Sequence, residues 1–203
     1  MLLAPVAIAV ALAAVTPPAQ AAAARREACF PSGARTLEAS RRARAFSLRR
    51  RGGARPVFAC LYATGRRVRL GDMVECAGQA ARDVHLAGRF VGFIAEFCPS
   101  PGGSGTSLGL VDLRRGPVRL VSGLFAFGAG VTDFVLRANG SSAWIEQPEV
   151  GAPASAPLRV VKRDAGGRTL LASGTDIESS SLALAGSTVY WIQGGVPLAA
   201  VLN

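Results

Sequence analysis

His85 is the only histidine in the chain, and it lies two residues after Asp83 in the segment DVHLAG. An imidazole beside a carboxylate is the arrangement of a general base and the acid that orients it. No nucleophile motif accompanies it, however, and the alternation Val84–His85–Leu86 suits a half-buried strand imidazole satisfied by nearby backbone. Glycoside hydrolysis needs two carboxylates flanking the scissile bond. The acids here stand singly, and the closest candidates, Glu146 and Glu149, fall in the turn-rich stretch EQPEVGAP, which reads as solvated loop. Residues 99–107, PSPGGSGTS, lack the Gly-Lys-Ser/Thr ending of a phosphate cradle and any helix after it, so a loop is expected there. The sequence therefore assigns no catalytic, cofactor-binding or metal-ligating residue, and no cofactor is expected.

The four cysteines, Cys29, Cys60, Cys76 and Cys98, form no C-x-x-C pair and have no histidine near enough for a structural zinc site. What precedes them suggests an oxidising compartment. Residues 2–15, LLAPVAIAVALAAV, are apolar and uncharged, Pro17-Pro18 breaks the run, and Ala19-Gln20-Ala21 offers a small-x-small cleavage site. A bilayer span needs roughly 20 apolar residues, so the run reads as a secretory signal over 1–21, with residues 22–203 the exported domain. Exported cysteines pair. Four allow three connectivities. Cys76 and Cys98 lie almost symmetrically about the turn at Ala87-Gly88, which favours their pairing across a hairpin and leaves Cys29 with Cys60.

The elements that carry these residues repeat. Phe46, Phe93, Trp144 and Trp191 are 47, 51 and 47 residues apart, and Arg41, Gly88, Asn139 and Gly186 each stand five positions before one of them. TLEASRRARAFSLR, DVHLAGRFVGFIAE, FVLRANGSSAWIEQ and LALAGSTVYWIQ each read as strand, tight turn, strand. A second strand pair follows, with turn glycines Gly65, Gly116 and Gly167 spaced 51 residues apart. The unit is a meander of four strands, A to D, repeated four times, and the fourth copy stops after VPLAAVLN, where its third strand ends. No helix of useful length is expected, because Gly and Pro interrupt every candidate. The second strands FVGFIA, AWI and VYWI are apolar at successive positions, which means sheets covered on both faces. The repeat-locked Trp144 and Trp191 are then core rather than a sugar-stacking platform. Asp112 and Asp164 precede the C–D turns and suit turn-stabilising acids.

The AWI and VYWI strands and the VDLRRGPVRLV strand-turn-strand resemble WD-repeat and TolB-like β-propeller modules over residues 30–203. From CFPSGARTLEAS onward the layout is also similar to small secreted bacterial β-repeat proteins with no assigned activity. The resemblance implies an all-β, β-propeller-like fold of four repeats and brings no catalytic residues. A β-sandwich of the same hairpins is the alternative. Four blades is the lower limit for a closed ring. Either residues 22–35 supply the missing D strand, or the ring is incomplete and two chains share a larger one as a dimer.

The charge is uneven. Lys and Arg number 23 against 13 acids, and only Lys162 is a lysine. Residues 1–70 hold 13 arginines and two acids, a balance of +11, whereas residues 71–203 hold 10 basic and 11 acidic residues. In an antiparallel meander the A–B and C–D turns share one end. That end carries Arg41, Arg42, Arg66, Arg67, Arg89, Arg114, Arg115 and Arg168. The opposite end is mixed, with Asp72, Glu75, Glu146, Glu149, Asp176 and Glu178 beside Arg49, Arg50, Arg51 and Arg55. A concentrated cationic face attracts polyanions. Lacking a reading helix or base-stacking motif, it implies no specific nucleic acid. The expectation is a secreted, non-catalytic binding module for an anionic envelope polymer or a protein partner, with an envelope glycan hydrolase or lyase as the alternative.

Overall fold

The computed structural model describes residues 18–73, 79–100, 103–121, 130–147 and 156–203. Chain order brings α1 (Pro18–Ala28), then β1 (Ala34–Ala39), β2 (Ala43–Leu48), β3 (Pro56–Leu61) and β4 (Arg66–Asp72). Next come β5 (Gln79–Ala87), β6 (Phe90–Ser100), β7 (Gly103–Asp112) and β8 (Arg119–Leu120). The third group is β9 (Gly130–Leu136), β10 (Ser142–Gln147), β11 (Leu158–Asp164) and β12 (Gly167–Gly174), and the last is β13 (Ala183–Ala185), β14 (Thr188–Gln193) and β15 (Val196–Val201). The molecule is all-β apart from α1.

Strands pair in chain order into sheets of eight, four and three, and none closes on itself. Every ladder is antiparallel except one parallel bridge, Asp72 to Ala80, which merges the first two meanders into the eight-stranded sheet. Glycine sets two of the local geometries. Gly116, at φ +95°, turns the chain between β7 and β8 in a region where L side chains are strained. Gly109 lies directly opposite Phe93, and a Cβ there would come within 2.5 Å of the Phe93 ring, so the ring lies across bare backbone.

The core is a series of layers between consecutive meanders. Ala43, Val57, Ala59 and Leu61 of the first pack on Val91, Phe93, Ala95 and Val111 of the second. Ile94 and Leu108 of the second pack on Phe134, Trp144 and Val161 of the third. Ile145 and Val160 of the third pack on Ile177 and Trp191. Phe93, Trp144 and Trp191 thus each point toward the preceding meander, from the second strand of their own. Phe46 points the same way, but there it meets Cys29, Cys60 and Phe58. The segment that ends α1 takes the place of a preceding sheet.

That segment corrects one expectation. Residues 18–28 do form a helix, because PAQAAAARREA has proline in its first turn and a run of alanine, the best helix former, with no glycine. Residues 22–35 do not complete the fourth meander: they form α1 and begin β1, which pairs with β2. The predicted cleavage site, Ala19-Gln20-Ala21, lies in the first turn of α1, and residues 1–17 of the expected signal lie outside the described residues. Cys29 and Cys60 are bonded, with Cα atoms 5.5 Å apart. Cys76 lies outside the described residues, and so does its expected pairing with Cys98. No helix among the described residues is long and apolar enough to cross a membrane.

The polar look of RARAFSL also has a cause. Arg44 is 6% exposed, donating to the Cys29 carbonyl at 3.0 Å and to Thr36 Oγ1 at 2.7 Å. Its guanidinium lies 4.6 Å from the Phe30 ring centre and 5.2 Å from that of Phe46. A buried arginine ties the cap to the first sheet, using donors that a lysine could not aim in this planar fork.

Candidate functional site

The turns between first and second strands, and between third and fourth, meet along one end of the molecule. Gly65 packs on the backbone of Arg25 and on Ala28, and Gly88 packs on Ala138 in the corresponding turn of the third meander. Arg66 Nη1 donates to the Arg114 carbonyl at 2.9 Å, reaching from one C–D turn to the next. Arg67 Nε donates to the Ala28 carbonyl. Asp112 and Asp164 hold their turns as short polar side chains do, accepting from Arg114 N–H at 3.0 Å and Gly166 N–H at 2.9 Å. The basic rim is therefore built from adjoining turns.

Within it, between the second and third meanders, lies a cavity of about 260 Å³ lined by Arg89, Arg115, Arg119 and Arg163. Its apolar wall is Phe90, Leu110, Pro117 and Val121, and its acid is Asp112. Four arginines against one aspartate leave a local balance of +3. Arg89 Nε is 3.2 Å from Asp112 Oδ2, and Arg115 Nε is 4.0 Å from it. The Arg89 guanidinium also covers the Phe90 ring at 4.8 Å. Arg119 and Arg163 make no ion pair with a carboxylate among the described residues. A wider and more open depression of about 450 Å³ lies at the other end, lined by Arg50, Gly52, Gly53, Ala54, Pro56, Arg69 and Asp72. There Arg69 is spent on Asp72, at 2.6 Å. The turn-end cavity concentrates unpaired cations better.

Not all of the expected arginines converge on it. Arg89 and Arg115 line it, Arg66 and Arg114 adjoin it through their mutual contact, and Arg41 and Arg42 stand exposed on the first meander. Arg168, though exposed, is engaged elsewhere, pairing with the buried Glu146 at 2.6 Å and lying 5.8 Å from the Trp144 ring centre. Glu146, expected in a loop, is core: Trp144 Nε1 donates to it at 2.6 Å. Glu75 and Glu149 lie outside the described residues. Turn position does not mark Arg119 and Arg163, because both lie on strands. Their parity was the available signal, since Arg163 shares a face with Val161 and Arg119 stands opposite Leu110.

A second polar group lies on the first strands, which adjoin one another in order: β1 with β5, β5 with β9, β9 with β13. His85 is exposed rather than half-buried, its ring edge-on to Phe134 at 5.1 Å. Burial raises the Glu38 carboxyl above its ordinary value, against the lowering influence of His85 and the Leu86 N–H. Burial likewise raises Asp133, which His85 and the Leu182 N–H pull down and Asp83 pushes up. Asp83 is the one non-glycine with positive φ among the described residues, at +49°, where β5 bulges against β6. Sequence distance hid this cluster; only the alignment of first strands brings it together.

No family model matches the chain, and no curated protein matches it.

Proposed function

We propose that the protein is an extracytoplasmic, non-catalytic binding module, an open propeller-like arc that grips an anionic envelope polymer along its turn end. One observation carries this. Arginines spread over three meanders become a single rim, because Arg66 reaches Arg114 and the turn at Gly88 packs on the turn at Ala138. The ordered contact of first strands supports the arc, and the Cys29–Cys60 bond is compatible with export. Binding of this kind draws much of its free energy from counterion release and weakens as salt rises. The oxidised protein is passed over immobilised wall polymer, DNA and anionic lipid at low and high salt. Retention on the wall polymer that is lost at high salt is the expected result. No retention, or retention indifferent to salt, overturns the reading.

The protein-partner reading is favoured by the three-stranded sheet of the fourth meander, and the partner it fits is a second copy of this chain. Tyr190 and Val201 stand exposed on its outer side, where the paired positions are Ala183, Thr188 and Ala199. Residues 175–203 contain no Lys or Arg, so joining two copies there keeps their basic first meanders far apart. Sedimentation velocity over a concentration series tests it: a dimer abolished by Tyr190→Lys is expected, and a monomer throughout overturns it.

A further inference from the structure

We infer that the cavity between the second and third meanders is a subsite for one acidic sugar unit of an anionic glycan. This rests on the polymer-binding reading above and specifies where and what it recognises. A cavity of about 260 Å³ lies just under the usual range for small-molecule sites, the size of a single ring rather than of a bare anion. Leu110, Pro117 and Val121 offer an apolar wall against which the C–H face of a pyranose can lie, a contact that an isolated phosphate cannot use. Arg119 and Arg163 supply the cations. Arginine forks suit a carboxylate bidentately, and these two have no acid to satisfy them among the described residues. Arg89 and Arg115 share Asp112, which takes up part of their charge.

The aromatic in the cavity argues against nucleic acid. Single-strand binding needs an open ring face for base stacking. One face of the Phe90 ring is taken: the Arg89 guanidinium lies over it, and the ring edge packs so closely on Gly140 that a Cβ there would fall 2.8 Å away. A nucleobase is left at most one face of this single ring, whereas the wall offered to a sugar is mainly aliphatic.

Calorimetry of the full-length oxidised protein with an oligomer of galacturonate tests the inference, with a neutral oligosaccharide, polyphosphate and oligo-dT as parallel probes. The double variant R119Q/R163Q is expected to weaken uronate binding by about tenfold or more, as loss of charge-assisted hydrogen bonds does. R41Q/R42Q, on the exposed first meander, is expected to weaken it by about twofold, as loss of general attraction does. Uronate binding unchanged in R119Q/R163Q but reduced in R41Q/R42Q overturns the subsite and leaves the rim. Polyphosphate or oligo-dT bound as tightly as uronate, with the same dependence on Arg119 and Arg163, overturns the sugar assignment. Binding of no probe by the unaltered protein overturns both readings. Thermal unfolding of each variant shows that a loss of binding is not a loss of fold.

Discussion

Glu38, on the first strand of the first meander, accepts the backbone N–H of Leu86 on the first strand of the second at 2.8 Å. Asp133 does the same between the third and fourth meanders, accepting from Leu182 at 2.9 Å. Each carboxylate spans a junction between successive meanders, at a point where their first strands are not paired through the backbone.

These two acids set a pH dependence. Both are raised in the folded protein, by burial first, so folding favours their protonated forms. Their contribution is fully present below the ordinary values of 4.5 and 3.8 and is lost as pH rises through the higher folded values. Asp164 is lowered, chiefly by the Lys162 hydrogen bond, and opposes them, so the difference between variant and parent is the informative quantity. E38Q keeps an oxygen for the Leu86 N–H. Its stability relative to the parent in urea should rise between pH 4 and pH 7, and a pH-independent difference would contradict the assignment.

Opening the cap should cost stability. The Cys29–Cys60 bond spans 31 residues, for which loop-closure entropy gives about 3.7 kcal/mol. Denaturant unfolding of C29S/C60S should show a loss of that order, together with reduced helical circular dichroism as α1 detaches. Full retention of both would mean that the apolar contacts of Phe46 and Phe58, with the Arg44 and Arg67 hydrogen bonds, hold the cap without the disulfide.

Arg168 should separate from the other rim arginines by experiment. Removing it leaves the buried Glu146 carboxylate, among the described residues, with the Trp144 N–H alone. Since the Arg168 side chain is 54% exposed, the pair is partly screened, and R168A should destabilise by about 1–2 kcal/mol with polymer retention unchanged. A retention loss without a stability loss would return Arg168 to the binding set.

The two tryptophans should respond differently to loss of the indole nitrogen. Trp144 Nε1 donates to Glu146, whereas Trp191 Nε1 is buried with no hydrogen-bond partner among the described residues. W144F should cost about 1–3 kcal/mol, because it strands a buried carboxylate oxygen. W191F removes an unsatisfied donor and should cost less. Equilibrium unfolding of the pair decides, and an equal cost would show that ring volume governs both.

Much of the architecture is written in local pattern. The spacing of Phe46, Phe93, Trp144 and Trp191 marks four second strands, and all four rings are buried there, facing the same direction along the series. Turn chemistry is as local: Asp112 and Asp164 bond the residue two positions on. The cap was not legible. Gly and Pro content argued against helix, but the alanine run around Gln20 is short and free of both. Arg44 looked like a polar flaw in a strand until the Cys29 carbonyl and two aromatic rings surrounded it.

The candidate site divides along the same line. Which arginines lie near turns follows from residue order alone, because a meander returns its turns to fixed ends. Whether a given guanidinium faces water, a carboxylate or a cavity depends on contacts across 20 to 50 residues of chain, and side-chain length lets Arg168 reach Glu146 from a turn. So the amino-acid order determined the strands, their repetition and the supply of charge, through periods of a few residues that each segment carries in itself. Tertiary packing decided that Arg119 and Arg163 share a cavity and that Glu38 meets Leu86, because those outcomes depend on how successive meanders seat against each other.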